Sequence, residues 1–68
     1  MVAIDVEEMR RRRQLQGLSQ SDLARAAQIH RSNISRLERG HQDTISPRTF
    51  ARICDALGVK NRAELMAA

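Results

Sequence analysis

Residues 18–40 read LSQSDLARAAQIHRSNISRLERG. Within it, Ser19-Gln20-Ser21-Asp22 has the S-x-x-D form of a capping box, in which a serine and an acid three residues on satisfy helix-start N–H groups reciprocally. Gly40 at the far end is a helix stop. The apolar residues between them do not keep one helical period. Leu23, Ala24 and Ala27 form one inner side, Ile34 and Leu37 another, and Ile29 falls between. The stretch therefore predicts two short helices back to back. The first ends near Ala27 or Gln28. The second begins near His30 or Arg31 and ends at Gly40, with Ile29 plugging the turn.

The second of these helices has two unlike sides. At roughly 100° per residue, Ile34 and Leu37 define a buried back. Ser32, Ser35, Arg36 and Arg39 fall opposite, and Arg31 lies on the flank in the first turn. Small serines allow close approach, and arginines supply bidentate donors. A helix that enters the DNA major groove needs both. The first helix is too short to be useful alone. It would brace the second and point its own N-terminus at a phosphate. An ordinary solvated helix face is the plainer explanation of the same serines and arginines.

Working outward, a helix from about Val6 to Gln16 precedes the stretch and stops at Gly17, with acids in its first turn and arginines in its last. Met9 is its apolar anchor. Arg10 to Arg13 wraps around the helix, so the four arginines cannot share one face. After Gly40, the chain to Ile45 reads as a loop. Ser46-Pro47 is an N-cap followed by proline at the first helical position. Phe50, Ile53 and Leu57 then recur at helical spacing, with Cys54 beside them, up to Gly58. Asn61-Arg62-Ala63-Glu64 resembles another capping box and predicts a short fifth helix carrying Leu65 and Met66. The expectation is one all-α domain of five helices over residues 1–68.

Composition agrees with helices on helices. The 68 residues can bury one small core. Apolar residues make up 41% and aromatics 1%, with Phe50 the sole large ring. Strands are not expected, because β-branched and aromatic runs are absent. Net charge is +4, and Lys60 is the only lysine, so the positive charge is nearly all guanidinium. That fork suits phosphates and guanine edges. Lone Cys54 excludes an internal disulfide and reads as a small core residue. His30 and His41 lack Cys or carboxylate neighbours at ligand spacing, so no metal or other cofactor is expected. Met1–Ile4 is followed at once by Asp5, Glu7 and Glu8, unlike a signal peptide, and no run is long enough to span a membrane. No nucleophile, base and orienting group assemble, and no phosphate-cradling glycine loop exists, so an enzyme is not expected.

The order and spacing of Leu18, Gln20, Leu23, Ala24, Ile29, Ile34, Leu37, Glu38 and Gly40 resemble the helix-turn-helix of the phage Cro and repressor family, also called the XRE family. Met9 and Arg13 match before the motif; Ala56-Leu57-Gly58-Val59 and Leu65 match after it. The resemblance covers nearly the whole chain and places the motif at about residues 20–39. It implies a compact lambda-repressor-like fold. Two positions depart from the family pattern. Gln28 stands where the turn usually has glycine, and a left-handed non-glycine there is disfavoured by roughly 1 kcal/mol. His30 stands where Ser or Thr usually precedes the recognition helix; it is a weaker cap and could contact a phosphate instead. The loop after Gly40 is also slightly long for the family.

Carried over position by position, the resemblance implies that Arg31, Ser32 and Arg36 read bases, with Asn33, Ser35 and Arg39 supporting them on the same helix. Gln20 would bond a phosphate and could steady a side chain at the start of the recognition helix. Arg48 would reach the backbone from the far side. Glu38 would pair with Arg13 of the first helix. Val59, Leu65 and Met66 are candidates for a dimer interface, with ordinary core packing as the competing role. The function implied is a sequence-specific regulator, a repressor, binding an inverted-repeat operator in double-stranded DNA as a homodimer. Neither a membrane nor a small-molecule ligand is expected, and the setting implied is the cytoplasm of a bacterium or a phage host. The alternative is an antitoxin or another helical module that holds a partner protein.

Overall fold

The computed structural model describes residues 1–67. It contains four α-helices: α1 Val6–Leu15, α2 Gln20–Ala27, α3 Arg31–Glu38 and α4 Pro47–Leu57. Two short strands, β1 Val2–Ala3 and β2 Thr44–Ile45, pair antiparallel, Val2 opposite Ile45.

Each helix begins on a side-chain cap. Asp5, Ser19, His30 and Ser46 accept from the backbone N–H of Glu8, Asp22, Ser32 and Thr49 respectively. The Ser19–Asp22 capping box closes in both directions. Each helix also ends alike. The N–H five positions on bonds the carbonyl of the last turn: Leu18 to Arg13, Ile29 to Ala24, His41 to Arg36 and Val59 to Cys54, all within 2.8–3.0 Å. This is the Schellman arrangement, which places one residue in the left-handed region. Gly17, Gly40 and Gly58 fill that position in three helices, and Gln28 (φ 59°) fills it after α2. A Cβ on any of the three glycines would meet nothing within 4 Å, so their backbone angle, not space, selects glycine.

The core joins Met9 of α1, Leu23, Ala24 and Ala27 of α2, Ile34 and Leu37 of α3, and Phe50, Ile53, Cys54 and Leu57 of α4. Helix α2 packs against both α3 and α4, and so holds α3 in place. Ile29 and Leu18 pack on this core from the turns.

Two expectations are corrected here. The fifth helix is a single 3₁₀ turn, Arg62–Leu65, capped by Asn61; its four residues are too few to close an α-helical ladder, so the fold has four α-helices. The chain is also not purely helical. Ile4 N–H donates to Asp43 O, Asp5 N–H to Leu65 O, and Ala67 N–H to Ala3 O, at 3.0, 2.7 and 2.9 Å. Ile4 and Met66 form a further bridge. Backbone groups flanking buried Ile4, Ile45 and Leu65 need partners once those side chains enter the core, and a short ladder supplies them. The segment 40–45, expected as a loop, therefore ends in a strand.

Candidate nucleic-acid interface

Helix α3 turns Ile34 and Leu37 fully inward. Its opposite side exposes Arg31, Arg36 and Arg39, with Ser32, Asn33 and Ser35 partly covered between them. The guanidinium of Arg36 donates to Asn33 Oδ1 at 2.6 Å, one turn back along the helix. At the N-terminus, His30 Nδ1 accepts from Ser32 N–H at 3.1 Å and lies 2.8 Å from Ser32 Oγ. His30 is thus the cap of α3, the role for which it had looked weak.

Behind the C-terminal end of α3 lies a hub around Glu38. Arg13 Nε and a terminal nitrogen grip both carboxylate oxygens, at 2.7 and 2.9 Å. The other terminal nitrogen of Arg13 donates to Leu18 O at 2.7 Å. Gln20 Nε2 donates to Glu38 Oε1 at 3.1 Å. The side chains of Arg13 and Glu38 are only 11% and 6% exposed. One carboxylate therefore ties α1, the start of α2 and the end of α3 together. Gln20 steadies the end of α3, not its start. Its amide reaches Glu38 because α2 begins beside the C-terminus of α3.

The arginines divide into two populations. Along α1, Arg11 and Arg12 hold Glu8, Arg12 also holds Glu64, and Arg13 holds Glu38. The hydrogen bonds from Arg11 and Arg12 pull the Glu8 carboxyl down to about 2. Arg25 and Arg62 pair loosely with Asp22 and Asp55 at 3.7 Å. Asp22 is likewise held below the ordinary carboxylate range, chiefly by the Ser19 backbone N–H. By contrast, Arg10, Arg31, Arg36, Arg39, Arg48 and Arg52 form no ion pair with an acid among the described residues. Of these, Arg31, Arg36 and Arg39 lie together and exposed on the front of α3, and Arg48 is exposed beside Pro47 at the start of α4, whereas Arg10 and Arg52 are partly covered.

The remaining candidates are placed as follows. Val59 and Leu65 are 5% and 0% exposed, so they belong to the chain's own core and have no surface left for a second copy. Met66 is 50% exposed. Cys54 is buried and free, and burial pushes its thiol up. Among the described residues there is no cluster of three or more possible metal ligands, and no helix is long and apolar enough to cross a membrane. Sequence reasoning missed Arg12 as a tie to Glu64 and Arg10 as a donor to the Glu38 carbonyl at 3.4 Å. Only the Glu8–Arg12 half of that network has a sequence signal, its i,i+4 spacing.

A family model described as Helix-turn-helix matches residues 9–62. No curated protein matches the chain, and no solved structure does.

Proposed function

The chain belongs to the Helix-turn-helix family of DNA-binding regulators, and from that premise we propose that it reads operator half-sites as a homodimer, with α3 in the major groove, and acts as a repressor. The observation that carries this is the front of α3. It offers Arg31, Arg36 and Arg39 without carboxylate partners, small serines between them, and a buried back that fixes which side faces out. Arg36, already aligned by Asn33, meets a guanine edge. Ser32 faces a neighbouring base. Arg48 holds the sugar–phosphate backbone, which is within reach from the start of α4. Repression follows from occupancy alone, since a protein seated on an operator keeps others off.

A dimer suits the dimensions. The molecule measures 25 × 25 × 19 Å, whereas successive major-groove faces of one DNA side recur at about 34 Å. One copy covers one half-site, and two copies side by side match the repeat. With Val59 and Leu65 in the core, the large apolar side chains left exposed for the contact among the described residues are Met1, Leu15 and Met66.

The test separates base reading from backbone holding. Arg36→Ala is expected to cost roughly 1–3 kcal/mol on the preferred duplex and much less on a scrambled one. Arg48→Ala is expected to weaken both alike and to reduce the salt slope by about one unit per lost phosphate contact. Titrations over a salt series measure both. If Arg36→Ala weakens the two duplexes equally, α3 is not the reading element.

A further inference from the structure

The cap of α3 contains a chemical choice that ordinary serine or threonine caps lack. A backbone N–H can only donate, so His30 Nδ1, which accepts from Ser32 N–H at 3.1 Å, carries a lone pair and no proton. The ring is then neutral with its proton on Nε2. Ser32 Oγ lies 2.8 Å from the same unprotonated Nδ1, so the hydroxyl must donate its single proton there. Ser32 is left with only lone pairs to present outward. In this state it can accept a hydrogen bond and cannot give one.

Adding a proton to the ring inverts this. Nδ1–H can no longer accept from Ser32 N–H and instead donates to Ser32 Oγ. The serine proton is freed to point outward, and Ser32 becomes a donor. We propose that His30 is a specificity-determining residue, which sets through its ring proton whether Ser32 accepts from or donates to a base edge. This rests on the proposed function, because it takes Ser32 as base-facing. His30 acts through Ser32 and is a positioning residue in that sense.

The major groove makes the two states distinguishable. An accepting Ser32 favours the amino groups of adenine and cytosine; a donating Ser32 favours O6 or N7 of guanine, O4 of thymine and N7 of adenine, so cytosine is the base that only the accepting state serves. Around this turn the charged groups are Arg31 and Arg36 on α3, and Arg25 with its partner Asp22 on α2. Helix α4, which packs on α2, carries Arg48, Arg52 and Asp55. Arg10 and Arg13 of α1 are engaged at Glu38, the other end of α3. Among the described residues no carboxylate pairs with His30. Among the described residues the hydrogen-bond partners of its ring are the two atoms of Ser32.

The experiment has two arms on the full chain. In the free protein, ring ¹⁵N shifts at about pH 8 should show His30 protonated on Nε2 alone, with His41→Gln used to assign the two histidines. Acidification to about pH 5.5 should lower the protection factor of the Ser32 amide, its exchange rate being compared with the intrinsic rate at the same pH, and His30→Ser should remove that pH response. A ring protonated on Nδ1 at about pH 8 would overturn the proposal. On DNA, the base pair that Ser32 meets is the one whose discrimination Ser32→Ala relaxes. Affinities for duplexes carrying each of the four pairs there should shift by about fivefold, the worth of one hydrogen bond, from cytosine toward guanine or thymine on acidification. His30→Ser should bind with a preference that ignores pH. If the wild type discriminates duplexes, Arg36→Ala loses that discrimination, and the preference still ignores pH, this inference alone fails. If the wild type does not discriminate at all, the proposed function fails and takes this inference with it.

Discussion

Glu38 places a carboxylate on a helix that, in the proposed function, lies against phosphates. Unpaired, it would repel them. Its side chain is nearly buried and bonded by Arg13 and Gln20. Removing it leaves a buried guanidinium without its partner, which costs about 3 kcal/mol or more. Exposed Arg39, one residue on, has no side-chain hydrogen bond or ion pair among the described residues, so Arg39→Ala should stay within about 0.5 kcal/mol. Urea unfolding of the two variants compares them directly, and equal midpoints would contradict the hub. At this scale the sequence was legible where a family pattern or a local spacing existed. The Arg13–Glu38 pair came from the resemblance, since a separation of 25 positions carries no spacing signal. The partner of Gln20 and the inward turn of Val59 and Leu65 depend on how helices meet, which no single stretch encodes.

Helices in this chain are bounded by local chemistry, which is why their ends were legible. Capping side chains at Ser19 and Ser46 and stops at Gly17, Gly40 and Gly58 act within one turn of themselves. Gln28 is the exception that the pattern exposes. It occupies the left-handed stop of α2 without being glycine, at φ 59° and ψ 41°. Relief of that backbone cost, partly offset by the freer unfolded chain, means that Gln28→Gly should raise stability, by up to about 1 kcal/mol. A lowered denaturation midpoint would show that the Gln28 side chain contributes more than its backbone angle costs. What was not legible at this scale is equally physical. Two-residue strands show no alternation, and β1 and β2 lie some forty residues apart in sequence. Asn61 carries a sound cap signal, but a cap says where a helix begins, not whether it outlasts one turn.

Over the whole molecule, opposite charges fasten α1 to its surroundings and leave α3 free to bind. The Glu8 carboxyl, lowered from 4.5 to about 2, is the clearest case. A depressed folded value means that Glu8 stabilises the fold above about pH 4.5 and that this contribution is lost as pH falls toward 2. Melting temperatures across that window should fall less steeply for Glu8→Gln than for the wild type. The dimer is tested at the same scale. Footprints should show two-fold symmetric protection with half-sites about 34 Å apart, or a multiple; asymmetric protection with one copy bound per site would rule it out. Family resemblance made the helix-turn-helix legible, whereas the sheet that joins both ends was invisible because it is made by the finished fold. That sheet has a topological consequence. Ala67 donates to Ala3, and Val2 sits opposite Ile45, so the described polypeptide is very nearly a ring. A bridge of a few residues could close it, and the backbone could be reopened between exposed His41 and half-buried Gln42. In such a circular permutant α4 would be synthesised first and α3 last, with the same core and the same ladder around them.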